Sequence, residues 1–230
     1  MSSVYKLSVS LLSKLGFYEF RYSIYSKIIL RLVTLLRLRL GRVLCLDLGC
    51  SNGAFTKQLS RVCDEVIGLD IRYSRDWAMS NQANNVDFII ADARRIPLRQ
   101  GSTNFIIALS LLEHVPRWSK VIEEVSRILD KGLIIIQLPN LYFIIEPHTK
   151  FPLLAYLPKS IRHRVTKINN YDDLQFDCTL SNVTASIIKT KVLKLLGVHA
   201  YWHTGYKNAP TSLLRKILPP PSYFIIALKL

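Results

Sequence analysis

The stretch Val43-Leu-Cys-Leu-Asp-Leu-Gly-Cys-Ser-Asn-Gly53 joins a short apolar run to a turn of small residues. The apolar run predicts a buried strand of a parallel sheet, and the residues that follow, 53–62, predict a helix. Small residues at such a turn let the backbone approach a ligand closely, and the first turn of a helix presents free N–H groups. The stretch therefore predicts a strand, a ligand-binding turn and a helix in succession.

Further apolar runs along the chain repeat this alternation. Six of them predict strands, at residues 65–70, 86–91, 104–110, 132–138, 198–204 and 222–228. Helical patterns at 74–83 and 119–129 lie between some of these runs. Strands that alternate with helices form a parallel sheet with right-handed crossovers. We therefore predict an α/β fold, a doubly wound and mostly parallel sheet of seven strands with helices on both faces.

Two segments stand apart from this alternation. Residues 1–42 are basic and contain a run long enough for a helix, so we predict a basic N-terminal helical arm and a domain that spans 43–230. From Pro139 onward four prolines interrupt the pattern, and we predict a lid insertion at about 139–182 with few helical signals. Asn182 is expected to cap the helix that follows the lid.

The glycine-rich turn by itself has two other interpretations. A dinucleotide fingerprint, G-x-G-x-x-G/A, fits Gly49 and Ala54, but Ser51 stands where the middle glycine should let a pyrophosphate approach. A nucleophile elbow, G-x-S-x-G, fits Gly49 to Gly53, but such an elbow normally follows several strands and this turn follows the first. The turn alone leaves the function open.

Acidic and polar residues at later strand ends favour a third interpretation. Asp70 ends the second predicted strand, Asp92 follows the third, and the segment Ser110-Leu-Leu-Glu-His-Val115 follows the fourth. In this order the motifs of residues 43–140 resemble those of class I S-adenosylmethionine-dependent methyltransferases, particularly the type 11 group that includes ubiquinone and menaquinone biosynthesis enzymes. The resemblance implies a Rossmann-like fold, an enzyme that transfers methyl groups, and S-adenosyl-L-methionine as the cofactor.

The resemblance also implies which residues hold the cofactor. The backbone of the turn would pass close to its amino-acid and ribose parts, Asp70 would accept from both ribose hydroxyls, and Asp92 with the Ala93 N–H would contact the adenine. The full predicted set is Asp47, Gly49, Cys50, Ser51, Asn52, Gly53, Asp70, Ile71, Asp92, Ala93 and Ser110. These residues lie at or next to the carboxyl ends of predicted strands, where open α/β sheets bind ligands.

A general base is required only if the methyl acceptor must lose a proton near neutral pH. The candidate catalytic residues are His148, Glu146 as its orienting partner, and His114, because their segments are expected to face the methyl group. We predict no metal site, since the pair His199 and His203 lacks a third candidate ligand.

The four cysteines form no framework of closely spaced pairs. This pattern favours a reduced, cytoplasmic protein in which Cys45 and Cys63 are small core residues. No apolar segment is long enough for a transmembrane helix, and the start of the chain does not resemble a signal peptide.

The formal net charge of +15 is concentrated at both ends of the chain. It is +7 over residues 1–42, zero over 43–142 and +8 over 143–230. The basic flanks are also apolar and aromatic, which suits a small-molecule or lipid-like anionic acceptor and peripheral contact with an anionic membrane surface. RNA, in particular tRNA, is the alternative acceptor, because basic and aromatic residues also bind unstacked bases. A non-catalytic binding protein with the same fold is the third hypothesis.

Overall fold

The computed structural model describes the chain in five segments, which are 21–80, 84–146, 148–171, 173–201 and 222–230. Residues 1–20 of the predicted arm, residues 202–204 of a predicted strand, and His203 with them, lie outside these segments.

The described residues contain one sheet of seven strands. In chain order from β1 to β7, the strands are Leu44–Leu48, Glu65–Asp70, Val86–Ile90, Thr103–Leu109, Leu129–Pro139, Lys194–Tyr201 and Ser222–Lys229. Their order across the sheet is β3-β2-β1-β4-β5-β7-β6. Strands β1 to β5 are parallel, whereas β7 pairs antiparallel with both β5 and β6. The predicted α/β fold with a mostly parallel sheet is confirmed.

The direction in which strands are added reverses at β1, whose neighbours are β2 on one side and β4 on the other. Leu48, near the carboxyl end of β1, pairs in register with Leu69 of β2 and Ala108 of β4. Connections from these strands leave in opposite directions, so a crevice opens outside their carboxyl ends. The glycine-rich turn follows β1 directly and therefore lies at this crevice.

Helices cover both faces of the sheet. From α1 to α6 they are Arg21–Leu40, Ala54–Leu59, Asp76–Ser80, Ser119–Ile128, Lys159–Ile168 and Leu180–Lys189, with short 3₁₀ turns at Leu112–His114 and Leu154–Tyr156. One core cluster packs α1 and α2 on the sheet, and a second cluster packs α4 and α6. Neighbouring residues of β4 alternate between them, since Phe105 belongs to the first cluster and Ile106 to the second.

Helix α1 is an integral part of the first layer. Its residues Ile29, Val33 and Leu36 recur at helical spacing and are buried in the cluster that contains Val43 and Phe55. Complete burial of an aliphatic side chain contributes about 1.5–3 kcal/mol, so this face attaches the helix firmly. Neither α1 nor any other helix in the described residues is long and apolar enough to cross a membrane.

The segment between β5 and β6 holds more helix than the sequence predicts. Helix α5 lies inside the predicted irregular insertion, and Thr166 is its buried residue. Because most side chains of this helix are exposed, its sequence carries little of the periodic apolar pattern that predicts a helix. Helix α6 is capped by Thr179, whose Oγ1 accepts from the N–H of Asn182 at 3.3 Å. The predicted cap at Asn182 is therefore wrong, since a hydroxyl before the helix satisfies that N–H.

A disulfide joins Cys45 of β1 to Cys63. Both residues are buried core residues, as predicted, but the prediction of a reduced protein without close cysteine pairs is wrong for this pair. Helix α2 returns the chain to the sheet and brings their Cα atoms to 6.2 Å across 18 residues of sequence. Cys50 and Cys178 are free and buried. The cysteine pattern consequently gives no support for a reducing compartment.

Candidate active site

A cavity of about 700 Å³ opens along the carboxyl ends of the first four strands. Eight of the eleven residues predicted to hold the cofactor line it, namely Gly49, Ser51, Asn52, Asp70, Ile71, Asp92, Ala93 and Ser110. The cavity lies where a sheet of this strand order binds ligands, and its volume suits a nucleoside-sized molecule.

The glycine-rich turn has a backbone that favours glycine at two positions. Gly49 and Gly53 both have φ of 78°, in the left-handed region. A Cβ on Gly49 would lie 2.9 Å from Cδ1 of Leu111, so a side chain here would require Leu111 to move. Ser51 also has a positive φ, 50°, which is strained for a serine. Such strain often accompanies a turn whose backbone is shaped for a ligand.

The Asp70 carboxylate connects the loops that flank the cavity. Its Oδ2 accepts from the N–H of Ser51 at 2.9 Å, and its Oδ1 accepts from the N–H of Arg72 at 3.0 Å. Trp77 supports the same turn, because its Nε1 donates to the carbonyl of Ser51 at 2.8 Å and its ring stacks on Phe88. Each carboxylate oxygen retains a further acceptor position, so Asp70 can still accept from a ligand in the cavity.

Three predicted cofactor residues, Asp47, Cys50 and Gly53, do not line the cavity. Asp47 is buried, and its Oδ2 accepts from Oγ1 of Thr56 at 2.6 Å. Burial raises the pKa of Asp47 to about 6. Burial also raises the pKa of the Cys50 thiol. The Asp47 side chain therefore fixes helix α2 to β1.

Asp92 forms an ion pair at the edge of the cavity. Nε and Nη2 of Arg94 donate to its carboxylate, with a shortest distance of 2.6 Å, and Nη1 donates to the carbonyl of Pro116 at 3.2 Å. The hydrogen bonds from Arg94 lower the pKa of Asp92. Any ligand that donates to Asp92 must therefore share the carboxylate with Arg94.

Ser110 follows β4 with a φ of 50°, the second serine of the cavity in the left-handed region. Its Oγ donates to Oε1 of Gln137 at 2.6 Å, and Nε2 of Gln137 donates in turn to Oγ of Ser222 at 3.3 Å. Since the hydroxyl proton of Ser110 is directed to Gln137, this oxygen can only accept a hydrogen bond from a ligand.

Beyond Ser110 the cavity reaches His114, Tyr171 and Asp173. Oδ2 of Asp173 lies 3.0 Å from Nδ1 of His114. His148 packs edge to face on the His114 ring, with ring centres 4.9 Å apart, and its own ring centre lies 5.4 Å from that of Tyr171. The structure therefore brings together His114 and His148, two of the predicted catalytic residues.

Glu146, the third predicted catalytic residue, holds His148 in place. Its buried carboxylate accepts from the His148 N–H and from the N–H and hydroxyl of Thr149, and it lies 2.7 Å from Nδ1 of His148. Burial acts to raise the pKa of Glu146, but the hydrogen bonds with His148 and Thr149 hold it below its ordinary value. Burial lowers the pKa of His114, and the neighbouring His148 adds to that effect.

Several residues that line the cavity or support its glycine-rich turn were not identified from the sequence motifs, among them Arg94, Trp77, Tyr171 and Asp173. Arg94 could have been found as an arginine two positions after the strand-end Asp92. Trp77 gave no signal beyond its aromatic side chain. Tyr171 and Asp173 belong to the loop after α5, whose position depends on the fold of the whole insertion, so no local pattern marks them.

Residues 46–136 match a protein family described as a methyltransferase domain. One curated relative, the biotin biosynthesis bifunctional protein BioHC of Cellvibrio japonicus, is 32% identical over 103 residues. That alignment covers 44% of this chain and 20% of the relative, so the chain spans about a fifth of its length.

Solved structures share the fold across most of the chain. A crystal structure titled S-adenosylmethionine dependent methyltransferase, from Mesorhizobium loti, gives a TM-score of 0.62 at 16% identity and covers 85% of this chain and 96% of its own. The [4+2]-cyclase SpnF gives a TM-score of 0.53 at 16% identity, with 87% and 80% covered. The same fold therefore occurs both in a methyltransferase and in a [4+2]-cyclase.

Proposed function

We propose that the chain, whose residues 46–136 match the methyltransferase-domain family, is a class I, S-adenosylmethionine-dependent methyltransferase of type 11 that transfers a methyl group from this cofactor to a small-molecule or lipid-like, anionic acceptor. The observation that carries the proposal is the continuity of the cavity. It extends from the glycine-rich turn and Asp70 to His114, Tyr171 and Asp173. One end suits the cofactor, and the other end suits the acceptor.

The residues at the first end fit the cofactor. Gly49 lines the cavity without a side chain, so a ligand can approach its backbone, and Asp70 offers two carboxylate oxygens to ribose hydroxyls. The cofactor supplies a methyl group on a sulfonium, which is an activated leaving group. The task of the chain is therefore to align the acceptor with the methyl group and to exclude water.

The residues at the second end suit an acceptor that must lose a proton. Glu146 accepts from Nδ1 of His148, which leaves the lone pair on Nε2 of the same ring. Asp173 holds Nδ1 of His114 in the same way. With both rings oriented by carboxylates, we propose that His148 and His114 favour the deprotonated form of the acceptor.

The surface of the insertion supports an amphiphilic, anionic acceptor. Helix α5 and the loop before it expose apolar and cationic side chains together. We define this lid surface by Leu153, Tyr156, Lys159, Ile161, Arg164, Lys167 and Ile168. Apolar groups among cations are typical of protein surfaces that lie at the interface of an anionic bilayer. We propose that the lid surface contacts such a bilayer while the acceptor enters the cavity.

A transfer assay with radiolabelled methyl groups tests the proposal. The full chain is incubated with labelled S-adenosylmethionine and with lipid, RNA or small-metabolite fractions, and Asp70→Asn serves as the control. We expect label in the lipid fraction or in an anionic small metabolite, and much less label with the variant when the cofactor concentration is limiting. Label in RNA would support the alternative acceptor and overturn this one.

Calorimetry with S-adenosylmethionine separates the remaining outcomes. Cofactor binding without label in any fraction would support a fold that binds the cofactor without transferring its methyl group. No heat of binding at all would overturn the assignment of the first end of the cavity to this cofactor.

A further inference from the structure

We propose that Glu113, His114 and His148 form a binding site for a divalent transition-metal ion at the acceptor end of the cavity. The metal site stands on geometry alone. Its role in catalysis rests on the proposed methyl transfer, because the ion would act on the methyl acceptor.

The three side chains bring potential donor atoms close together. A ligand atom from each of them lies within 4.8 Å of the other two. Donor atoms of one ion, with bonds of about 2.0–2.2 Å, lie about 3–4 Å apart. Oε1 of Glu113 is already 3.8 Å from Nε2 of His148. Side-chain movements of about 1 Å would therefore complete the coordination.

The carboxylates behind the two imidazoles fix the tautomers that a metal requires. A histidine that binds a metal usually donates its other ring N–H to a carboxylate. Here Nδ1 of His148 lies 2.7 Å from Glu146, and Nδ1 of His114 lies 3.0 Å from Asp173. With the proton on each Nδ1, the lone pair is on Nε2, which is the atom that binds the ion.

The positions of the ligands in the fold resemble a prepared site. Glu113 and His114 belong to the 3₁₀ turn after β4, and Glu113 is fully buried. His148 is held by Glu146, whose carboxylate is itself fixed by the Thr149 N–H and hydroxyl. A divalent cation would add a positive charge beside the buried Glu113 carboxylate.

The donor set indicates the class of metal and leaves room for a substrate. Two imidazoles and one carboxylate are ligands for Zn²⁺, Fe²⁺ and related ions, and three protein ligands leave open positions. His114 lines the cavity, so an open position can face the acceptor. A cation there would make an acidic O–H or N–H of the acceptor easier to deprotonate.

The transfer then balances without another reactant. The O–H or N–H bond of the acceptor breaks, and its proton passes to solvent. The electron pair that remains forms a bond with the methyl carbon, and the carbon–sulfur bond breaks with its electron pair kept by sulfur. The products are the methylated acceptor and S-adenosylhomocysteine.

Cobalt binding to the full chain tests the site directly. Protein freed of metal with a chelator is titrated with Co²⁺, whose visible absorption reports coordination by protein ligands, and the affinity for Zn²⁺ is measured by competition. We expect binding of one Co²⁺ per chain, with affinity reduced at least tenfold in Glu113→Gln, His114→Gln and His148→Gln. Glu146→Gln should reduce the affinity by about 10- to 100-fold, because it leaves the three ligands in place but removes the carboxylate that orients the His148 ring.

His163→Gln is the matched control, since this histidine is exposed on α5 outside the cluster. It should bind Co²⁺ as the wild type does. If the wild type binds Co²⁺ and Zn²⁺ no more tightly than His148→Gln does, the metal site is overturned. Circular dichroism confirms that the variants compared are folded.

The transfer assay distinguishes this failure from failure of the proposed function. Methyl transfer that persists after complete removal of metal would overturn the catalytic role of the ion and leave the proposed function intact. Metal binding that the four variants weaken as expected would support the site, even if no acceptor fraction takes up label and the proposed function fails.

Discussion

Asp70 both holds the glycine-rich turn and faces the cavity. Replacement by Asn keeps the shape of the side chain but removes the charge that ribose hydroxyls would meet. A hydrogen bond to a charged group contributes about 1.5–3 kcal/mol. We therefore expect Asp70→Asn to weaken binding of S-adenosylmethionine by about 10- to 150-fold in calorimetry.

The control is Asp87→Asn, the same chemical change at an exposed position of β3 outside the cavity. It should leave the affinity unchanged. An unchanged affinity in Asp70→Asn would exclude Asp70 as a ligand of the cofactor and move the ribose position elsewhere in the cavity.

A second prediction concerns Asp47 and the stability of the folded chain, not the binding of the cofactor. Its pKa is about 6 in the folded chain against an ordinary value of 3.8, because it is buried. Between those values the folded state binds more protons than the unfolded state, so the free energy of unfolding falls as pH rises from about 4 to about 6. A difference of about two pKa units corresponds to about 3 kcal/mol.

Asp47→Asn removes this titration. We measure the free energy of unfolding by urea denaturation at about pH 4 and about pH 7. From the lower to the higher pH, this free energy should fall by about 3 kcal/mol more in the wild type than in the variant. Asp87→Asn should follow the wild type. If the free energies of unfolding of the wild type and of Asp47→Asn differ by the same amount at both pH values, Asp47 does not have the raised pKa.

Residues that line the cavity near the glycine-rich turn could be predicted from the sequence more readily than those that line it near His114. Gly49, Asp70 and Ser110 could be predicted because each lies where a strand ends, and strand ends are visible as the limits of apolar runs. Tyr171 and Asp173 could not, because their contacts with the histidines depend on the folded insertion. Glu113 and His148 are far apart in sequence, and their proximity follows from the packing of that insertion on the turn after β4.

At the scale of elements, β5 passes β4 closely at Gly132. The register of this pair shifts between Thr103 and Phe105. A Cβ on Gly132 would lie 1.8 Å from the carbonyl oxygen of Asn104, which is a backbone atom and cannot rotate away. We expect Gly132→Ala to lower the free energy of unfolding by about 3 kcal/mol or more, measured by urea denaturation.

Gly41→Ala provides the comparison for this element. Gly41 has a φ of 78° but open space around the position of a Cβ. Gly41→Ala should lower the free energy of unfolding only by the strain of the backbone, about 1 kcal/mol. If both variants lose the same free energy of unfolding, the sheet adjusts freely at Gly132, and the close contact with Asn104 does not exclude a side chain there.

Elements with a buried face were predicted better than elements without one. Strand β2 has the predicted bounds, 65–70, because its apolar run ends at a charged residue on each side. Helix α5 was missed because it buries little, and the cap of α6 was misplaced because both Thr179 and Asn182 are suitable capping residues. Local chemistry alone does not decide between two such caps.

At the scale of the whole molecule, the sequence predicts the fold class and the family but not the covalent link within the core. The alternation of strands and helices is repeated along the chain, so errors in single elements do not change the architecture. The Cys45–Cys63 disulfide depends on one approach in space, and a spacing of 18 residues does not reveal it. The family match over residues 46–136 confirms the predicted resemblance.

The uneven charge of the molecule leads to a prediction about membranes. Residues 143–230 carry +8, and the lid surface presents part of that charge among exposed apolar side chains. Each lysine close to an anionic bilayer contributes about 1 kcal/mol. We expect the full chain to sediment with vesicles that contain phosphatidylglycerol, and not with neutral phosphatidylcholine vesicles. Substitution of both Lys159 and Lys167 by Gln should weaken that binding by about 2 kcal/mol, or about 30-fold.

A variant with the same loss of net charge elsewhere separates a specific surface from general attraction. Arg61 of the loop after α2 and Lys120 of α4 are exposed and lie outside the lid surface. Their joint substitution by Gln lowers the net charge equally, so at physiological salt, where charges interact over about 8 Å, it should leave vesicle binding within about twofold of the wild type. Equal losses in both double variants would mean that the membrane responds to total charge, and the lid surface would then have no special position toward the bilayer.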